Sequence, residues 1–219
     1  GYYNIGVEYY SILGRSSSIQ REISINGKVP FIEAEAIFLP RFFKDAYKVS
    51  EEREDGKSDV RPRQLETHLW ATDTFKDRAG YYNESYDFYF ESGVNTITLS
   101  SKREPVVFSE IYLFQDKDAV TYENYFSQHK SNGASVIDAN YAIEAEEAYL
   151  KSSPSLNSIA EYSSFRFSPY VSFITRYNAI GGNNWRISGD EISWQVNVDE
   201  AGFYKLNFKS LQNFSNGQS

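Results

Sequence analysis

Apolar side chains recur at every second position over much of this chain, and the first stretch sets the pattern: Tyr3, Ile5, Val7 and Tyr9 alternate with Asn4, Gly6 and Glu8. Successive side chains of a strand point to opposite faces, so this alternation predicts a half-buried strand. Ile23 and Ile25 lead into Asn26-Gly27, with Val29 and Phe31 beyond. That dipeptide tolerates the positive φ angles of a tight turn and predicts a hairpin. Tyr86, Phe88 and Phe90 alternate before Glu91-Ser92-Gly93, and Ile97 and Leu99 follow, which predicts a second hairpin. Val106 to Phe114 reads as a further strand, as do Ala142 to Ala148, Ile192 to Val198 and Phe203 to Phe208.

Two stretches break the alternation. From Val49 to Arg63 the chain carries the charged run Ser50 to Lys57 without apolar period, which predicts a solvated loop. Between Lys117 and Ser135, Val120, Tyr122, Tyr125, Phe126 and His129 recur at spacings of three and four, and Asn132-Gly133 offers a stop. A short linking helix is expected there.

The two ends of the chain resemble each other. Gly1-Tyr2-Tyr3-Asn4-Ile5-Gly6-Val7 aligns with Gly202-Phe203-Tyr204-Lys205-Leu206-Asn207-Phe208, setting Tyr3 on Tyr204, Ile5 on Leu206 and Val7 on Phe208. Taken as a repeat, this makes residues 1–117 the later strands of one β-sandwich module, 118–135 a helical linker, and 136–219 the earlier strands of a second. The halves would complete one sandwich in circularly permuted order within a monomer, or exchange strands between chains as a swapped dimer.

Composition agrees with a β protein: aromatic residues make up 17% of the 219 positions, led by 18 Tyr and 16 Phe, and such side chains suit pleated, half-buried surfaces. A formal net charge of -8 with no local Lys/Arg cluster argues against nucleic acid as a partner. With no cysteine there is neither a disulfide framework nor a thiolate metal site. No run approaches the roughly 18 apolar residues that cross a bilayer. Gly1-Tyr2-Tyr3 lacks the regions of a signal peptide, so an export signal is expected to lie outside this chain, as in a piece of a longer protein.

Catalytic chemistry finds little support. The two histidines, His68 and His129, stand in no nucleophile or metal pattern and read as surface residues, and Gly181-Gly182-Asn183-Asn184 reads as a turn rather than a phosphate loop. Sugar-binding proteins set an aromatic ring against a pyranose, with amides and charged groups reaching the hydroxyls. Trp185 beside Asn183, Asn184 and Arg186 is the first candidate platform, and Trp70 near Arg61 and Gln64 the second. The plain alternative for both tryptophans is a packing anchor. Trp194 alternates with Ile192 and Val196 and reads as core.

Several motifs carry a family resemblance. Ile143-Glu144-Ala145-Glu146, Gly181-Gly182, Ile192 to Val198 and Asp199-Glu200-Ala201-Gly202-Phe203-Tyr204 resemble the opening strands of galactose-binding-like carbohydrate-binding modules. Gly14 to Arg21, Asn26 to Phe31, Asp59 to Pro62, Gly80 to Glu84 and Arg103-Glu104-Pro105 resemble the accessory β-sandwich of extracellular solute-binding lipoproteins of Gram-positive sugar ABC transporters. The resemblance implies an all-β, jelly-roll-like sandwich with a short linking helix, extracellular and attached to the cell surface through other parts of a parent protein. It further implies a non-catalytic carbohydrate-binding role alongside a solute-binding domain that is absent here, or a structural spacer or docking role without a ligand. In the modules resembled, the Glu144 and Glu146 pair helps to hold a structural calcium ion, with the remaining ligands coming here from near Ser109 and Glu110. Two residues apart on a strand, both carboxylates would share one face.

Overall fold

The computed structural model describes residues 1–82, 84–117 and 119–211. Asn83 of the Gly80 to Glu84 pattern, Asp118 at the start of the expected linker and 212–219 of the second half lie outside the described residues. The described chain forms two units. The first comprises Gly1–Lys117 with Ile143–Gln195; the second comprises Asp118–Ala142 with Val196–Ser219, of which 119–142 and 196–211 are described.

The strands of the first unit run, in chain order, as β1 (Tyr2–Ser11), β2 (Ile19–Ile25), β3 (Ile37–Leu39), β4 (Phe42–Asp45), β5 (Gln64–Thr67), β6 (Trp70–Thr74), β7 (Phe88–Tyr89), β8 (Ile97–Arg103), β9 (Val106–Phe114), β10 (Leu150–Lys151), β11 (Ser158–Ile159), β12 (Ala179–Ile180) and β13 (Ile192–Ser193). All their pairings are antiparallel. The protein is all-β, a sandwich of antiparallel sheets, and the described residues contain one short α-helix.

The sandwich follows from the alternation. β1 lies between β6 and β9, and its start also pairs with β7; β2 lies between β3 and β8. Ile5, Val7 and Tyr9 of β1 and Ile19, Ile23, Ile37 and Leu39 of the facing sheet are buried in one core, closed by Phe75, Phe88 and Phe90. Each aliphatic side chain so buried contributes about 2 kcal/mol. The polar member of the core, Tyr9, donates its hydroxyl to the Pro40 carbonyl at 2.9 Å. Gly6 lies beneath the Tyr112 ring, and a Cβ there would force that ring to move.

Asn26 (φ 52°) and Gly27 (φ 77°) make the expected tight turn, with Ile25 and Lys28 exchanging backbone bonds of 2.8 and 3.0 Å. The segment after the turn differs from the hairpin expected: Val29 to Phe31 form no strand, and a 3-10 turn at Ile32–Glu35 carries the chain to β3, which pairs with the far end of β2. The second predicted hairpin is also rearranged. Its strands exist, but β7 pairs with β1 and β8 with β2. Alternation tells a strand which face to bury; every strand offers the same backbone groups, so it cannot tell which neighbour to choose.

A third sheet, β13-β10-β4-β5, brings the later part of the chain onto the earlier part, with Lys151 paired to Phe43. Buried charge reinforces the join: Lys151, with a fully buried side chain, donates to Asp45 at 2.8 Å. The charged loop is solvated over most of 50–57, as its pattern predicts. Its end, however, is tied down. Asp59 takes Arg53 at 3.1 Å and Arg176 at 2.6 Å, and accepts the Tyr177 N–H at 3.0 Å. These bonds and the Arg53 charge outweigh burial and hold the Asp59 carboxyl below its ordinary range.

In the second unit, α1 (Tyr122–Ser131) stands where the three-and-four spacing places it, capped by the Thr121 hydroxyl accepting from Asn124 N–H at 3.3 Å and followed by Gly133 at φ 90°. Phe126 packs on Phe203 at 4.5 Å, and Val136 bridges Phe203. That bridge is all that forms of the strand expected over Phe203 to Phe208; Tyr204 to Leu211 take no strand conformation.

Candidate functional site

The first predicted platform lies in the first unit. Gly181, at φ 106°, opens a 3-10 turn over Gly182–Asn184, and Trp185 closes it with its N–H on the Gly182 carbonyl at 3.1 Å. A Cβ at Gly181 would press on the Trp185 ring at 3.3 Å, so glycine serves both the positive φ and the contact. The indole Nε1 donates to the Asp190 carbonyl at 3.1 Å, and the ring remains 43% exposed. Asn183, Asn184 and Arg186 are exposed beside it.

Trp185 has a partner that the alternation did not announce. Trp194 lies 6.5 Å away between ring centres, half-buried rather than in the core, and its Nε1 donates to the Ala145 carbonyl at 2.9 Å. The two indoles and the Glu144 to Glu147 segment are thus one neighbourhood. Asp190 completes it: one oxygen accepts from Ser152 Oγ at 3.4 Å, and the other is buried and, among the described residues, without a hydrogen-bond partner. Burial pushes the Asp190 carboxyl up, with the Ser152 hydrogen bond acting against it. No periodic or motif signal marked Asp190, because its role depends on the Ser152 strand end folding over it.

The Glu-x-Glu segment departs from the strand expected over Ala142 to Ala148: 145–147 form a turn, and Glu144 is exposed while Glu146 is buried. The shared strand face is therefore replaced by opposite environments. Burial, together with the charges of Glu144 and Glu147, pushes the Glu146 carboxyl up to about 7. Among the described residues its Oε2 has no hydrogen-bond partner. Glu147 is held by Ser50 and by Lys48 at 3.7 Å. Ser109 and Glu110 sit on β9 at the Glu8 position, Ser109 donating to Glu8. Among the described residues no three Asp, Glu or His side chains form a cluster that could hold a metal ion.

The residues of the second predicted platform each have a separate partner. Trp70, half exposed, stacks against Tyr10 at 5.4 Å, whereas Arg61 lies over the Tyr177 ring at 5.2 Å and Gln64 bonds to Asp45. His68 is half-buried, its Nδ1 2.8 Å from the Ser11 carbonyl, and His129 packs on Tyr125 at 4.6 Å. No helix of the described residues is long and apolar enough to cross a membrane.

Compared with protein-family models, with curated proteins and with solved structures, the chain matches none.

Proposed function

We propose that this chain is a non-catalytic, extracellular carbohydrate-binding module of a sugar-uptake system, working beside the solute-binding domain of a larger surface lipoprotein. The observation that carries the reading is Trp185: an indole held in fixed orientation by its Nε1 bond and left 43% exposed, beside a second tryptophan and the exposed Asn183, Asn184 and Arg186. A ring face beside acceptors for hydroxyl groups is the equipment of a saccharide subsite. A second reading, a spacer or docking domain without a ligand, draws on the same bonds: both indole N–H groups end on backbone carbonyls, as packing anchors do.

Affinity electrophoresis through a series of polysaccharide gels separates the two. Retardation on at least one polysaccharide is expected, lost in Trp185→Ala, while the variant's unfolding free energy falls by about 2 kcal/mol for one hydrogen bond and one ring contact. Wild-type protein that runs unretarded on every gel removes the sugar-binding reading and leaves the spacer. Calcium belongs to the proposal through Glu146, whose buried, unpartnered oxygen suits a hard cation once the proton is gone.

A further inference from the structure

A cleft of about 430 Å³ opens elsewhere in the first unit, between the 3-10 turn at Ile32–Glu35 and the segment before β7. Phe31, Tyr82 and Tyr86 form its aromatic walls, and Glu33, Glu84 and Asp87 supply carboxylates; among the described residues neither Lys nor Arg lines it. The volume falls in the range of small-molecule sites.

The walls are built, not incidental. Phe31 packs on Tyr86 at 5.1 Å and on Phe88 at 5.2 Å, and Phe88 is fully buried, so the rear of the cleft is continuous with the core. Asn4, itself 3% exposed, donates to the Ser85 and Tyr86 carbonyls at 3.3 and 3.2 Å and to Asp87 at 3.1 Å, fixing the acidic rim from behind. Asp77 accepts the N–H groups of Ala79, Tyr81 and Tyr82 at 2.7, 2.6 and 3.1 Å, which sets the backbone that presents Tyr82. Burial and nearby acidic groups push the Tyr86 hydroxyl up to about 12, so it stays neutral.

Among the described residues Glu33 and Glu84 have no ion-pair partner, and Lys76, whose backbone bridges Ser85, directs its ammonium to Asp73 at 3.8 Å. Three negative charges therefore face one aromatic-walled space without a protein cation. The Tyr82 and Tyr86 hydroxyls can donate and the carboxylates accept, but a neutral saccharide would leave all three carboxylate charges uncompensated. A positive charge meets both features, since ring faces and carboxylates attract it alike. We propose that this cleft is a binding site for a compact organic cation, a quaternary ammonium or alkylated amine, held against Tyr82, Tyr86 and Phe31 and neutralised by Glu33, Glu84 and Asp87. Trp185 does not line this cleft, and the proposal does not rest on the sugar-binding reading.

Isothermal titration calorimetry at low ionic strength tests it, with choline chloride as the probe and 3,3-dimethylbutan-1-ol as its uncharged isostere. Saturable one-site binding of choline is expected, with the isostere weaker by about tenfold or more. Tyr82→Ala and the pair Glu33→Gln/Glu84→Gln should each weaken choline by about five- to tenfold, with thermal unfolding midpoints unchanged because all three side chains are exposed. Absence of saturable choline binding overturns the proposal. So does equal binding of the isostere, equal binding by both variants, or displacement of choline by galactose at the same concentration, which would make the cleft a sugar site.

Discussion

Replacing Arg41 with methionine is expected to cost the first unit about 3–5 kcal/mol, enough to unfold it or to move its denaturation midpoint far to lower denaturant. Arg41 is only 1% exposed and is the largest fully buried side chain, and its guanidinium is shared between Glu66 and Glu104, whose side chains are 9% and 4% exposed. It also donates to the Ser17 carbonyl at 2.8 Å and the Ile12 carbonyl at 2.9 Å, so one residue closes the loop that runs from β1 to β2. Removing it leaves two buried carboxylates facing each other. The control is the triple change Arg41→Met/Glu66→Gln/Glu104→Gln, which removes all three charges and should recover much of the loss, since an uncompensated charge costs more than an absent pair. Guanidinium chloride denaturation of the three proteins checks this; a single variant as stable as the wild type would show that the triad is not holding the loop. The pH dependence has a definite sign. Burial raises the Glu104 carboxyl, but hydrogen bonds from Ser17 and the Arg15 N–H and the Arg41 charge outweigh it, leaving it below its ordinary 4.5. The stabilisation is therefore present above that value and is lost as pH falls through the lowered one.

Glu146 should act in the opposite sense. Its folded-state carboxyl is raised from 4.5 to about 7, so the folded protein holds a proton that the unfolded chain releases. Stability from this group is full below pH 4.5, declines as pH rises between 4.5 and about 7, and is lost above that. At about 1.4 kcal/mol per unit, the loss reaches at most about 3.5 kcal/mol well above pH 7. Glu146→Gln keeps the shape without the charge. In calcium-free buffer it is expected to stabilise the protein by about 2 kcal/mol at pH 8 and to change little at pH 4. Thermal unfolding at the two pH values measures it, and an equal effect at both would show that Glu146 is not protonated in the fold. The same experiment bears on calcium: added calcium should raise the wild-type midpoint at pH 8 and leave Glu146→Gln unmoved.

Both residues illustrate what a linear pattern can carry. Glu146 is legible as half of a Glu-x-Glu segment, yet Glu144 turns to solvent, because 145–147 turn where alternation predicts a strand. Arg41 follows Pro40 in a run that carries no motif. Whether a charged residue is solvated or buried depends on what folds over it, here Glu104 arriving from 63 positions away. Trp185 was legible as an aromatic in a Gly/Asn loop, whereas Asp190 and the pairing with Trp194 were not, since they depend on the 3-10 turn and on Ser152.

The sequence by itself determined the local terms: an all-β chain, the inward face of β1, the turn at Asn26-Gly27, β9 over Val106–Phe114 and a helix ending before Gly133. These follow from side-chain periodicity and from backbone conformations that only certain residues accept, and such properties need no distant partner. Tertiary structure alone decided that β7 pairs with β1 and β8 with β2, that β10 and β13 join β4, and that Phe203 to Phe208 form a bridge rather than a strand. A strand exists only where another backbone meets its hydrogen-bonding groups, and every candidate edge offers the same groups. The choice among edges falls to core packing and to buried ion pairs such as Lys151 with Asp45, which are assembled from residues far apart in the chain.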